Sequence, residues 1–235
     1  RTADEPEIGA IPWSMPMQLA AFHWSTLWGQ LRRRVPDDRY HRATAVTDVT
    51  EEASGRLTVG SEAGDPVEAD LVVFADGYQS LGRGLLFPDI GLRYRGYQLW
   101  RGLLPEAALA GADRLGTTCP RVSYPTMPGN FVCYFVPGED GSTEAGERLV
   151  NWAAYIPVPD DELPTFMVDR SGRRREGTIA PGDLRPEVEE QLKATMEAEL
   201  PAYYGAMVQE TNHTYVQLIY TVRMPAYHRG AACLI

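Results

Sequence analysis

The chain contains one segment in which an apolar run meets an acidic turn: Ala69-Asp70-Leu71-Val72-Val73-Phe74-Ala75-Asp76-Gly77-Tyr78-Gln79-Ser80-Leu81-Gly82-Arg83. The run from Leu71 to Phe74 is apolar and partly β-branched, which predicts a strand over residues 69–76 that is buried on both faces. Asp76-Gly77 ends it in a turn, because glycine adopts backbone angles that other residues avoid. In open α/β sheets, ligands bind at the carboxyl ends of parallel strands. An ordinary strand and turn of any α/β protein carries the same pattern.

Composition restricts the classes of protein to which the chain can belong. Its 235 residues have 44% hydrophobic content and a net charge of −10, which is typical of a globular protein and disfavours nucleic acid as a partner. No apolar run reaches the roughly 20 residues that a membrane span needs, so we expect no membrane association. Cys119, Cys133 and Cys233 lack paired spacing. They predict neither a disulfide framework nor a metal site, and fit a reducing cytoplasm.

Hydrophobic spacing divides the chain into two regions of different character. Apolar residues recur at helical spacing over residues 17–34, and two alternating runs at 43–49 and 56–60 predict a hairpin. After Pro88, aromatic and alternating runs predict strands at 94–103, 131–136, 150–158 and 215–224, in an antiparallel or mixed sheet. A helix is predicted over 186–200.

Several common catalytic motifs are missing from the sequence. Ser80 lacks the glycine spacing of a nucleophile elbow, which excludes that class of hydrolase. The four histidines show no metal-ligand spacing, and neither a G-x-x-x-x-G-K nor a G-x-G-x-x-G motif occurs.

The turn segment resembles the second nucleotide-binding fingerprint of flavin-dependent aromatic hydroxylases, Gly-Ala-Asp-Gly-x-x-Ser-x-x-Arg. The matching positions are Ala75, Asp76, Gly77, Ser80 and Arg83, while Phe74 stands where the first glycine is usual. Further segments resemble the 2,6-dihydroxypyridine 3-monooxygenase group in the same order: the helix at 23–32, the strand with Tyr97, Trp100, Arg101 and Gly102, the Asn151-Trp152 pair with Tyr155, and the segments 169–177, 185–188 and 217–220. Thr221 departs from the aspartate expected at its position.

The resemblance implies an α/β fold related to that of p-hydroxybenzoate hydroxylase. Residues 1–88 and a return strand at 226–235 would form part of an FAD-binding Rossmann-like domain. Residues 89–225 would form an inserted α+β substrate-binding domain built on a mixed sheet. The chain would then be the central fragment of a longer protein, and we expect no monooxygenase activity from the fragment alone.

The chemistry implied by the resemblance is hydroxylation of an electron-rich aromatic or N-heterocyclic ring. FAD would be the cofactor, with NAD(P)H and O2 as co-substrates and a small aromatic molecule as the substrate. The choice between NADH and NADPH, the identity of the ring and assembly as a homodimer stay open. The alternative is a non-catalytic α+β ligand-binding module that binds no flavin on its own.

Candidate site residues follow from the resemblance and from side-chain chemistry. Asp76 and Gly77 would line the path of the flavin and nicotinamide phosphates, and Trp24 would pack at the flavin. Arg83 either reaches a pyrophosphate or anchors the following helix. Tyr97 and Tyr220 are candidates for the ring pocket, with core packing as the alternative for each. His213 is a candidate base, with a plain surface position as the alternative. No catalytic residue and no metal ligand is assigned.

Overall fold

The structure of the chain, a computed structural model, describes residues 7–235. The first six residues of the predicted 1–88 segment lie outside the described part. The helices are α1 (Trp24–Arg32), α2 (Leu81–Leu86), α3 (Leu163–Phe166), α4 (Pro186–Glu199) and α5 (Ala202–Gln209). The strands are β1 (Val46–Glu51), β2 (Leu57–Ser61), β3 (Val67–Ala69), β4 (Val72–Phe74), β5 (Arg93–Pro105), β6 (Arg121–Ser123), β7 (Asn130–Val136), β8 (Leu149–Pro157), β9 (Thr178–Ile179), β10 (Tyr215–Thr221), β11 (His228–Arg229) and β12 (Ala232–Leu234).

The chain divides into two compact units. The turn unit comprises Arg32–Arg95 and Tyr220–Ile235, and the sheet unit comprises Gly96–Ile219 with the described residues up to Leu31. The division expected from the sequence, into residues 1–88, 89–225 and 226–235, stays a prediction. The Glu7 carbonyl accepts a hydrogen bond from the Tyr203 N–H at 2.9 Å, which ties the first described residues to the sheet unit.

The turn unit contains two small sheets. Strands β1, β2 and β3 form an antiparallel sheet, and β4 pairs in parallel with β12, which pairs with β11. The buried core of the unit consists of Leu57, Phe74 and Ala232, with Val72 and Leu86 packed against it. The predicted hairpin is thus present, and the short parallel pair lies next to the acidic turn.

The prediction that residues 69–76 form one strand buried on both faces is wrong. The chain bends after Ala69, and β4 covers only Val72–Phe74. Phe74 is buried, but Val73 keeps 48% and Leu71 61% of their surface exposed. Helix α2 and Leu57 cover the face that carries Phe74, while the face that carries Val73 stays open over the described residues.

The sheet unit is built on six strands in the order β6-β7-β8-β5-β10-β9. Strands β6, β7, β8 and β5 pair antiparallel in succession, as do β10 and β9. We call the side that carries Trp100 and Trp152 the covered face, because both indoles are fully buried. The Trp152 indole N–H donates to the Thr211 hydroxyl at 2.8 Å, which joins this face to the residues that follow α5.

The helices follow the sequence signals to different degrees. Pro186 starts α4 at its first turn, two acidic side chains lie there, and Leu192 and Met196 are buried one turn apart. Helix α1 covers only half of the predicted 17–34 helix, and none of its residues is buried. No described helix is long and apolar enough to cross a membrane.

Candidate functional site

The turn that follows β4 is the first part of the candidate site. Gly77 has a positive φ of +73°, which favours glycine over residues that carry a Cβ. A Cβ built on Gly77 meets no atom within 4 Å, so its surface is open to an approaching group. This open backbone lies just beyond the carboxyl end of β4, where the sequence predicts nucleotide phosphates to approach.

Asp76 and Ser80 hold the amino end of α2. The Ser80 hydroxyl accepts a hydrogen bond from the Arg83 N–H at 2.9 Å, and the Asp76 carboxylate accepts one from the Gly82 N–H at 3.2 Å. Partial burial raises the pKa of Asp76, but hydrogen bonds from Ser80 and from backbone N–H groups outweigh it and leave that pKa below its ordinary value. The Asp76 side chain therefore stays ionised while it caps the helix.

Arg83 is tied into the same turn. Its guanidinium donates to the Tyr78 carbonyl at 2.5 Å, which anchors the turn to α2. The sequence left two roles open for Arg83, contact with a pyrophosphate or anchoring of the following helix. The contact with the Tyr78 carbonyl belongs to the second role. Gly82 permits the turn to lie close to the strand, because a Cβ there would come within 2.2 Å of the Phe74 ring.

An aromatic cluster lies beside the turn. The rings of Tyr78 and Tyr220 stack with centroids 6.1 Å apart and planes 13° apart, and Tyr94 meets Tyr220 at 5.8 Å. Tyr220, predicted to line the ring pocket, thus contacts a residue of the candidate cofactor turn. Sequence reasoning missed Tyr78 as part of the site, although Tyr78 directly follows Asp76-Gly77 in the motif.

The other predicted residues, Tyr97, Trp24 and His213, belong to the sheet unit. Tyr97 lies on β5, and its ring is 6.0 Å from that of Tyr155 on β8. Trp24 begins α1 and is 72% exposed. His213 is exposed in the connection between α5 and β10, with a positive φ of 56°.

The sheet unit has a second face, opposite the covered face, which we call the open face. Residues directly opposite in antiparallel pairs share a face, so Arg101, Ala153 and Val132 form one cross-strand row. Leu99 and Tyr155 form the neighbouring row on the same face. Arg101 and Tyr155 did not stand out as site residues from the sequence alone, because their shared face depends on strand register.

The residues present fit a dinucleotide cofactor mainly through backbone. The open surface of Gly77 leaves room for a phosphate, and the adjoining tyrosine rings offer apolar surface with polar tips. The side chains of Asp76 and Arg83 already hydrogen-bond within the turn, so they shape the turn rather than project from it. No group of three or more potential metal ligands occurs in residues 7–235.

Comparisons with known proteins identify the family and the fold of the chain. The profile of the family described as FAD binding domain-like matches residues 94–221, more than half of the chain. The fold is similar to that of 2,6-dihydroxypyridine-3-hydroxylase from Arthrobacter nicotinovorans, with a TM-score of 0.76 and 22% identity over 90% of this chain and 53% of that one. No curated protein sequence matches the chain.

Two further solved structures share the fold at lower similarity. A salicylate hydroxylase substrate complex matches with a TM-score of 0.62 and 16% identity, over 91% of this chain and 49% of that one. Klebsiella pneumoniae HpxO complexed with FAD and uric acid matches with a TM-score of 0.56 and 19% identity, over 90% and 46%. The chain therefore has a flavin-dependent hydroxylase-like fold and spans about half the length of the structures it matches.

Proposed function

Because the chain belongs to the FAD-binding domain-like family, we propose that the protein carrying it is an FAD-dependent monooxygenase. Its substrate would be an electron-rich hydroxylated aromatic or N-heterocyclic ring. The activity is assigned to the whole protein and not to the 235-residue chain alone, because the chain spans about half of each matched structure.

The observation that carries the proposal is the geometry of the turn after β4. Gly77 presents open backbone there, and the hydrogen bonds made by Asp76 and Arg83 hold that backbone in place. A preformed turn loses little conformational freedom when a phosphate binds to it, which favours affinity. We assign this turn to the phosphates of FAD.

The reaction balances with two co-substrates. One ring C–H, O2, NAD(P)H and a proton give one ring C–OH, NAD(P)⁺ and water. FAD, when bound, would supply the transfer of two electrons from NAD(P)H to O2. The residues of this chain would bind the ring, orient it and exclude water from it.

The ring would bind against the open face of the sheet unit. Tyr97 and Tyr155 lie there with their rings 6.0 Å apart, and each combines apolar surface with a hydroxyl. Tyr220 is reassigned to the aromatic cluster beside the turn, and His213 and Trp24 keep their predicted roles only as proposals.

The free state of Cys119, Cys133 and Cys233 supports a cytoplasmic location.

A matched pair of glycine variants tests the assignment of the turn. Gly77 and Gly55 both have positive φ, +73° and +81°, and both have no atom within 4 Å of a built Cβ. Alanine at either position therefore introduces similar backbone strain, of about 1–2 kcal/mol. Only Gly77→Ala should weaken FAD binding, measured by titration of flavin fluorescence against the purified whole protein. Equal FAD affinity in the two variants would remove the turn from the cofactor site.

The reaction type has its own test. The whole protein is incubated with FAD, NADPH or NADH, and ¹⁸O2, with 2,6-dihydroxypyridine and salicylate as trial substrates. We expect one ¹⁸O atom from O2 in the hydroxylated product, detected by mass spectrometry. A protein that retains no flavin would instead be the non-catalytic binding module.

A further inference from the structure

The segment from Asp169 to Arg175, which we call the arginine turn, is held from inside by one buried carboxylate. The Asp169 side chain is 1% exposed and accepts hydrogen bonds from the Ser171 N–H, the Ser171 hydroxyl and the Arg173 N–H. The Arg175 guanidinium forms an ion pair with the same carboxylate. The turn exposes the cationic side chains of Arg170, Arg173 and Arg174.

The side chains of Arg173 and Arg174 are not used to build the turn. Arg173 bonds to Asp169 through its backbone N–H, and Arg174 pairs with Val168 in a short backbone bridge. No ion pair within residues 7–235 involves either guanidinium. Because the turn is already rigid, a partner that binds these two cations has little backbone freedom to remove.

Helix α4 presents carboxylates to solvent along one side. Glu187, Glu190, Ala194 and Glu197 are exposed and recur at spacings of three and four residues, which places them on one stripe of the helix. We call these four residues the acidic stripe. Over the described part of the chain, Glu190 and Glu197 belong to no ion pair. The small side chain of Ala194, in the middle of the stripe, lets a second helix approach closely.

The arginine turn lies at the amino end of α4. The Arg170 N–H donates to the Asp183 carbonyl at 2.9 Å, and the guanidinium of Arg185, the residue before α4, donates to the Val168 carbonyl at 3.0 Å. The helix has 14 residues and is therefore about 21 Å long. The sheet unit thus carries cations at one end of α4 and carboxylates along it. Such a surface is complementary to itself under a twofold rotation.

We propose that the arginine turn and the acidic stripe form an interface through which two copies of this chain associate about a twofold axis. The axis passes close to Ala194, so the two α4 helices cross antiparallel. The amino end of each helix then lies beside the carboxyl end of the other, which brings Arg173 and Arg174 of one copy to Glu197 of the second copy. Glu190 faces exposed Ala198 of the second copy, so carboxylates are not placed opposite one another.

This inference goes beyond the proposed function and does not depend on flavin binding. The chain has a net charge of −10, which opposes association of two copies in general. Local pairs of opposite charge must overcome that repulsion, so the association should respond to charge reversal at the pairing positions and not elsewhere.

Sedimentation velocity of the whole protein measures the association. We expect the wild type to be a dimer. Arg173→Glu combined with Arg174→Glu places like charges opposite one another and should weaken the dimer about 10- to 100-fold, and Glu197→Arg should also weaken it. Arg33→Glu combined with Arg34→Glu is the matched control, since it makes the same charge changes at exposed positions outside the sheet unit, and it should stay dimeric. Circular dichroism checks that each variant is folded.

Mixing the weakened variants tests the pairing itself. A twofold interface contains two contacts between an arginine turn and an acidic stripe. When the variant with the reversed turn meets Glu197→Arg, one contact has both charges reversed and the other is native, so a mixed dimer should form. The variant that carries all three substitutions should dimerise again for the same reason. A monomeric wild type, reversed variants that stay dimeric, or a mixture that stays monomeric would each overturn the inference.

Discussion

Adding one methyl group at Gly82 should separate helix α2 from strand β4. A Cβ at Gly82 would lie 2.2 Å from Cγ and 2.5 Å from Cδ2 of Phe74, closer than any real packing allows. Phe74 is itself 7% exposed and belongs to the core of the turn unit, so its ring has little room to move. Overpacking of this kind costs about 1–3 kcal/mol.

Gly84 provides a matched control on the same helix. A Cβ built at Gly84 meets nothing within 4 Å, and Gly84 does not have a positive φ. Gly84→Ala should therefore stabilise the unit by up to about 1 kcal/mol, the gain expected when alanine replaces glycine in a helix. Gly82→Ala shares this gain, so the two variants should differ by the cost of the clash alone, about 1–3 kcal/mol in free energy of unfolding.

Urea denaturation of the two variants and the wild type measures this difference. A third variant, Phe74→Leu, should lower stability by itself but should partly rescue Gly82→Ala, because the two side chains compete for one space. Additive effects in the double variant, or equal stabilities for Gly82→Ala and Gly84→Ala, would refute the close packing of α2 against β4.

Three further predictions concern the sheet unit. Gln98 is fully buried, and neither of its amide atoms has a partner among the described protein atoms. Gln98→Met should therefore raise the free energy of unfolding by about 1 kcal/mol. A loss of stability would point to partners supplied by ordered water. Trp152→Phe removes the indole N–H that donates to the buried Thr211 hydroxyl. The free energy of unfolding should fall by about 1–3 kcal/mol. An unchanged urea midpoint would argue against the hydrogen bond between Trp152 and Thr211. Hydrogen bonds from Arg148 outweigh the effect of burial and hold the pKa of Glu106 below its ordinary value. The stability difference between wild type and Glu106→Gln should therefore be largest near neutral pH and should shrink as acid protonates Glu106. A difference that does not change with pH would contradict this assignment.

The strands of the sheet unit could be predicted from the sequence because local pattern carries the information. Aromatic and alternating residues marked β5, β7 and β8 to within a few residues. The same reasoning failed at β4, since an apolar run reports which side chains avoid water but not which element covers them. Val73 is half exposed because only the Phe74 side of the strand has a covering helix.

The candidate site was only partly accessible to sequence reasoning. The sequence from Asp76 through Ser80 to Arg83 predicted a turn after the strand. The same spacing also indicates the helix cap that the structure contains, in which Asp76 and Ser80 accept hydrogen bonds from the first turn of α2. The contact between Tyr78 and Tyr220 joins positions far apart in the chain, and no local pattern indicates it.

Hydrogen exchange of the whole protein with and without FAD tests the central claim most directly. If the turn after β4 holds a phosphate of FAD, peptides that cover residues 75–83 should exchange more slowly when FAD is added. The turn at Gly55 serves as the internal reference, since it has similar backbone geometry and no assigned ligand, and its exchange should not change. FAD binding that protects other segments but leaves residues 75–83 unchanged would contradict the assignment of this turn to the cofactor.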